Sequence, residues 1–104
     1  MASGVYAKVD VTSAATWTTV VAPPASGIKV TTVTLCNRTG GNLTVRLALA
    51  ANNSVTDADV IEYGVTIPAN GVLERTGIVL DTSNGLQVYS SGAGLTAVAY
   101  GIDS

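Results

Sequence analysis

The chain has 104 residues, enough for one domain and too few for a second core. Only 12% of them are charged and 47% are hydrophobic, which excludes a disordered chain, because the apolar surface suffices to offset the entropy of ordering. A net charge of −2 with five scattered basic residues excludes nucleic-acid binding by clustered Lys and Arg, and no run approaches the ~18 apolar residues that span a membrane.

At the N-terminus, Met1 to Lys8 lacks the basic and apolar regions of a signal peptide. Val5 to Val11 and Trp17 to Val21 are strand-like. They admit two readings: ordinary strands of one sheet, or an arm within 1–27 that adds a strand to a neighbouring subunit. Trp17, in TWTTV, is read as a core or interface anchor, since it is the only tryptophan and sugar stacking uses several aromatics.

After the turn Ala22-Pro23-Pro24-Ala25-Ser26-Gly27 comes a strand whose phase slips. Ile28 and Val30 share one face, whereas Val33 and Leu35 have the opposite parity. The slip predicts a bulge at Thr31-Thr32 or a bend by which the strand crosses between sheets. The stretch VTLCNRTGGNLTVRLALA, Val33 to Ala50, is predicted to be a hairpin, with Asn37 to Asn42 as its turn. Leu43, Val45, Leu47 and Leu49 would face the core, and Arg38 and Arg46 would lie close across the turn, for salt bridges or a subunit contact. Cys36, the sole cysteine, suits a reducing cytoplasm and reads as a small buried hydrophobe, because no histidine exists to activate it.

Beyond the Ala51-Asn52-Asn53-Ser54 turn, Ser54 to Ile61 is the best helical candidate, with Ser54 as its cap and Asp57 near its start. The cluster Asp57, Asp59 and Glu62 lacks the glycine and the dense ligands of a calcium loop, so it reads as a solvated turn. Ile61, Tyr63, Val65 and Ile67 alternate with Glu62, Gly64 and Thr66, which predicts a strand with the first set on one face. Turns follow at Pro68 to Gly71, Asp81 to Gly85 and Ser90 to Gly94. The last contains Gly92 and Gly94 but no lysine to hold a phosphate. The final run, Leu95 to Ile102, is apolar on both faces and is predicted to be packed on both sides. Together these segments predict an all-β chain: a single antiparallel β-sandwich of about eight strands over 1–104, jelly-roll-like.

The chemistry in the sequence is sparse. Histidine is absent, no carboxylate pair is spaced for glycoside cleavage, and no serine stands with an evident base. These residues predict no enzyme, no metal and no cofactor. The three Asn-x-Ser/Thr triplets at Asn37, Asn42 and Asn52 read as turn residues.

The segments "VTTVTLCNRTGGNLTVRLALA" and "VIEYGVTIPANGVLERTGIVLDTSNGLQVYSSGAGLTAVAYGID" resemble small virion structural proteins of tailed bacteriophages. The resemblance runs from Ile28 to Asp103: a strand ending in Cys-Asn, a glycine turn, a "VRLALA" strand, an "IPANG" turn, a "GLQVYSS" run and a Gly-plus-acidic end. It implies a β-sandwich subunit of the virion, in a head or tail and often in symmetric homo-oligomers such as trimers, and it implies no active site. The expected function is a decoration or cement subunit that stabilises the capsid at subunit junctions, with the major capsid protein or other virion proteins as partners. The alternative is a tail, baseplate or fibre module that binds a receptor or glycan. Tyr6, Trp17, Arg38 and Arg46 are the expected interface residues, because aromatics and arginine carry most interface energy.

Overall fold

Among the described residues eight strands, every pair of neighbours antiparallel, divide between two sheets of four. The computed structural model describes residues 4–103. The strands are β1 (Gly4–Val11), β2 (Thr16–Val21), β3 (Lys29–Asn37), β4 (Leu43–Ala50), β5 (Val60–Ile67), β6 (Val72–Leu80), β7 (Gly85–Ser90) and β8 (Leu95–Asp103). The first sheet runs β1-β8-β3-β6 and the second β2-β7-β4-β5, which is the strand order of a jelly roll. Only β4 and β5 are consecutive in the chain and paired in space; every other connection crosses from one sheet to the other.

That topology overturns the hairpin expected at Val33 to Ala50. β3 pairs with β6 and β8, and β4 pairs with β5 and β7, so Asn37 to Asn42 arches between the sheets. The arch is held by Asn37, a fully buried polar residue. Its Nδ2 donates to the carbonyls of Gly41 (2.8 Å), Ile67 (3.0 Å) and Pro68 (3.1 Å), and its Oδ1 accepts from the backbone N–H and the hydroxyl of Thr39. Asn37 thereby ties this arch to the β5–β6 arch. Arg38 N–H donates to the Gly94 carbonyl and Gly94 N–H to that of Val11, so the connections at this end are stitched together.

The core between the sheets is aliphatic. Val33 and Leu35 of β3 and Leu95, Ala97 and Ala99 of β8 face Val45 and Leu47 of β4 and Leu86 and Val88 of β7, all fully buried. Small and branched side chains interdigitate here without any phenylalanine. Leu49 packs against this core only partly buried. Arg38 and Arg46, on the arch and on β4, do not pair with each other.

The phase slip at Ile28 to Leu35 has a different cause from either one expected. β3 stays in unbroken register with β8 from Lys29 opposite Asp103 to Asn37 opposite Leu95. The irregularity lies against β6: Thr31 faces Ile78 and Val33 faces Arg75, so Thr76 and Gly77 together oppose Thr32. The extra residue is in β6, and β3 does not cross between sheets. Ile28 and Val30 are simply on the outside, 38% and 41% exposed. Cys36 shares that outer parity and is half-buried, not a core residue. On the outer face of β8 Val98 and Tyr100 are half-buried and Ile102 is 64% exposed, so this face is covered in part by neighbouring side chains and not by the expected second layer among the described residues.

β1 and β2 are integral strands, but of different sheets: β1 pairs with β8 and β2 with β7. The stretch 4–21 therefore folds back on its own chain instead of reaching out as an arm, and residues 1–3 lie outside the described residues. A radius of gyration of 12.8 Å matches the ~13 Å of a compact chain this long. The helical candidate shrinks to one 3₁₀ turn at Asp57–Asp59, whose N-cap is Thr56, not Ser54. Asp59 accepts from the Thr56 N–H and hydroxyl, and Ser54 N–H is taken by Asn52.

Candidate functional site

The outer face of the β2-β7-β4-β5 sheet carries a row of side chains that the register places side by side. Trp17 of β2 is opposite Tyr89 of β7, Tyr89 is opposite Arg46 of β4, and Arg46 is opposite Tyr63 of β5. With neighbouring strands ~4.8 Å apart, the row spans roughly 14 Å across the sheet. The Arg46 guanidinium carbon lies 4.3 Å from the Tyr63 ring centre and 4.8 Å from that of Tyr89. Both distances are within cation–π range. Trp17 meets Tyr89 with ring centres 5.6 Å apart and planes tilted by 55°.

Each of these side chains reaches the outer face for a local reason. Leu86 and Val88 point inward on β7, so Tyr89 points outward; Val45 and Leu47 do the same for Arg46. The alternation of β5 predicts Tyr63 on one face with the core residues Val65 and Ile67. Instead Val65 faces Val45 while Tyr63 faces Arg46, which leaves Gly64 as an extra residue in β5 with φ +75°. This glycine bulge shifts the side-chain parity by one. Tyr63 is consequently 60% exposed. A second irregularity follows at Ile61, which returns to pack against the core.

The surroundings of the row are polar on one side and closed on the other. Thr44 and Thr66 pair beside it, near the Ser91 hydroxyl. On the other side Gln87 and Ala48 are fully buried, and Gln87 is satisfied by the Thr19 hydroxyl (2.7 Å) and the Ala50 carbonyl (3.1 Å). Aromatic rings around an arginine with a hydroxyl-bearing flank match the composition of an interface centre and its rim.

No carboxylate neutralises the charge on Arg46 among the described residues. Lys29 pairs with Asp103 at 3.0 Å, Arg38 with Asp10, and Arg75 with Glu62. Arg46 forms no ion pair and no hydrogen bond among the described residues, and its buried Nε has no acceptor.

Of the four expected interface residues, the fold brings together Trp17 and Arg46 only. Arg38 sits on the β3–β4 arch, where its exposed pair with Asp10 of β1 contributes little. Tyr6 belongs to the other sheet. It is the extra residue of a bulge between Val5 and Ala7, its ring lies 4.3 Å beneath the Lys29 ammonium, and it packs partly against the core. Burial, with the Asp103 carboxylate beside it, pushes the Tyr6 hydroxyl up to about 12. Tyr63 and Tyr89 complete the row unforeseen. A glycine interrupting a strand pattern was the available signal for Tyr63, and the Leu86/Val88 alternation was the signal for Tyr89.

The acidic residues do not converge. Asp59 caps its own turn and Glu62 pairs with Arg75 across the open side of the sandwich. Among the described residues no three metal-ligating side chains gather. Comparison of the chain with protein-family models, with curated proteins and with solved structures finds no match.

Proposed function

We propose that this chain is a bacteriophage virion structural protein, a decoration or cement subunit that binds at junctions between subunits of the major capsid protein. Its docking surface is the outer face of the β2-β7-β4-β5 sheet. The observation that carries the reading is the Trp17–Tyr89–Arg46–Tyr63 row, an aromatic and arginine centre on a sandwich that is otherwise poor in charge. The resemblance of Ile28 to Asp103 to small virion proteins agrees with it, and homo-oligomers of the subunit on the symmetric capsid lattice are part of the proposal. Synthesis is in the host cytoplasm and the working location is the particle.

The mechanism is mass action. A subunit that binds only the assembled lattice lowers the free energy of that state by RT ln(1 + [L]/Kd), about 2.7 kcal/mol per site at a hundredfold excess over Kd. The test is electron cryo-microscopy of intact particles, joined to a thermal melt of particles with and without the subunit. Density on the capsid and a lower melting temperature in its absence are expected. Density on the tail, or unchanged particle stability, overturns cementing. The role is structural and not enzymatic, and turnover of polysaccharide or peptidoglycan by the purified chain overturns that.

A second reading, a tail or fibre module that binds glycan, is favoured by one observation: Tyr63 is 60% exposed in a row that also holds Trp17. Saturable glycan binding by the isolated protein, lost on Trp17→Ala, would replace the cement reading.

A further inference from the structure

We propose that Arg46, clamped between Tyr63 and Tyr89, is the receptor for a carboxylate side chain on an acidic segment of the partner protein. The inference rests on the docking face proposed above and names the chemistry of what docks there.

Three observations carry it. Lys29, Arg38 and Arg75 each pair with a carboxylate of the same chain, and among the described residues Arg46 does not. A guanidinium has five donors and no acceptor, yet Arg46 donates to no protein atom among the described residues, and its Nε is buried without a partner. The two rings at 4.3 and 4.8 Å then fix the guanidinium in place. Its rotamer entropy is therefore already lost before a ligand arrives, the condition under which a planar fork binds a carboxylate best. Lys8 also lacks a carboxylate partner among the described residues, but no ring holds its ammonium.

The geometry favours a protein carboxylate over an acidic polysaccharide. Both tyrosine rings are engaged by the guanidinium, and the Trp17 and Tyr89 planes are tilted 55° to each other, so the row does not offer the coplanar open rings on which sugars stack. Nucleic acid is disfavoured because one isolated cation neutralises one phosphate.

The test uses the full chain labelled with ¹⁵N. The Arg46 Nε–H signal is followed while poly-L-glutamate is added at constant ionic strength, with polygalacturonate in a parallel titration. A saturable shift with poly-L-glutamate is expected in this signal and in the Tyr63 and Tyr89 ring protons. The ring-proton response, which the variants still report, is abolished in Arg46→Gln and weakened about tenfold in affinity in Arg46→Lys, which keeps the charge and loses the fork. The Lys variant also serves if the Gln variant does not fold. No shift, an undiminished response of the Tyr63 and Tyr89 ring signals in Arg46→Gln, or binding of polygalacturonate alone overturns the assignment. Rebinding to particles stripped of the subunit separates the two readings. Weakening by both Trp17→Ala and Arg46→Gln, about 30-fold each for hot-spot residues, supports both. Weakening by Trp17→Ala alone leaves the face and removes the carboxylate receptor; weakening by neither removes both.

Discussion

Asn37 shows how much one side chain can hold. It is fully buried, and its amide serves three carbonyls on two arches while its oxygen takes two donors from Thr39. Removing it takes a donor from the buried Ile67 carbonyl, a cost of about 1–3 kcal/mol, and frees Thr39 from the arch, while the Gly41 and Pro68 carbonyls keep Thr39 and Gly71 as donors. Asn37→Ala is therefore expected to destabilise the fold by about 3 kcal/mol and lower the Tm by roughly 12–24 °C, read by urea and thermal denaturation. Tyr6 makes the pH prediction. Its hydroxyl is raised from about 10 to about 12, so the native state holds a proton that the unfolded state releases. The associated stability is complete below about pH 10 and is lost as pH rises to about 12 and beyond. Tyrosinate absorbance should show one tyrosine titrating near pH 12, and Tyr6→Phe should flatten the alkaline fall in Tm.

At the scale of the element, glycine bulges decide which side chains reach the surface. Gly64 sits at φ +75° with room for a Cβ, whose nearest neighbour would be Thr44 Cγ2 at 3.9 Å. An alanine there fits sterically and costs only the left-handed backbone, about 1–2 kcal/mol. Deleting Gly64 has a different consequence, because it restores the two-residue period and turns Tyr63 toward the core. The deletion variant should lose the Tyr63–Arg46 contact, seen as relief of the ring-current shift on the Arg46 side-chain protons, while Gly64→Ala keeps it. The alternation of Ile61, Tyr63, Val65 and Ile67 was legible as a strand. The face of Tyr63 was not, because one inserted residue reverses the parity of the side chains before it until the second irregularity at Ile61.

At the scale of the whole molecule, the ends of the chain hold its middle. β1 closes the edge of one sheet on β8 and β2 closes the other on β7. Deletion of residues 1–27 is expected to abolish the cooperative thermal transition and the dispersed amide spectrum, whereas an arm that served only its neighbours would leave a folded remainder. Pairing the first strand with the last also demands closure of nearly the full chain length. Refolding on the millisecond-to-second scale typical of β-sandwiches should follow, measured by stopped-flow tryptophan fluorescence from Trp17.

The sequence by itself determined the all-β class, the positions of most strands and turns, and most of the core face of β4, because alternation and turn chemistry act over a few residues. Trp17 and Arg46 stood out as candidates from residue type alone. Only the tertiary structure decided that Val33 to Ala50 is an arch between sheets, that Arg38 pairs with Asp10, and that Trp17, Tyr89, Arg46 and Tyr63 form one row. Those outcomes depend on which strands become neighbours. Strand order is set by burying one face of each of eight strands at once, and no local window of sequence contains that constraint.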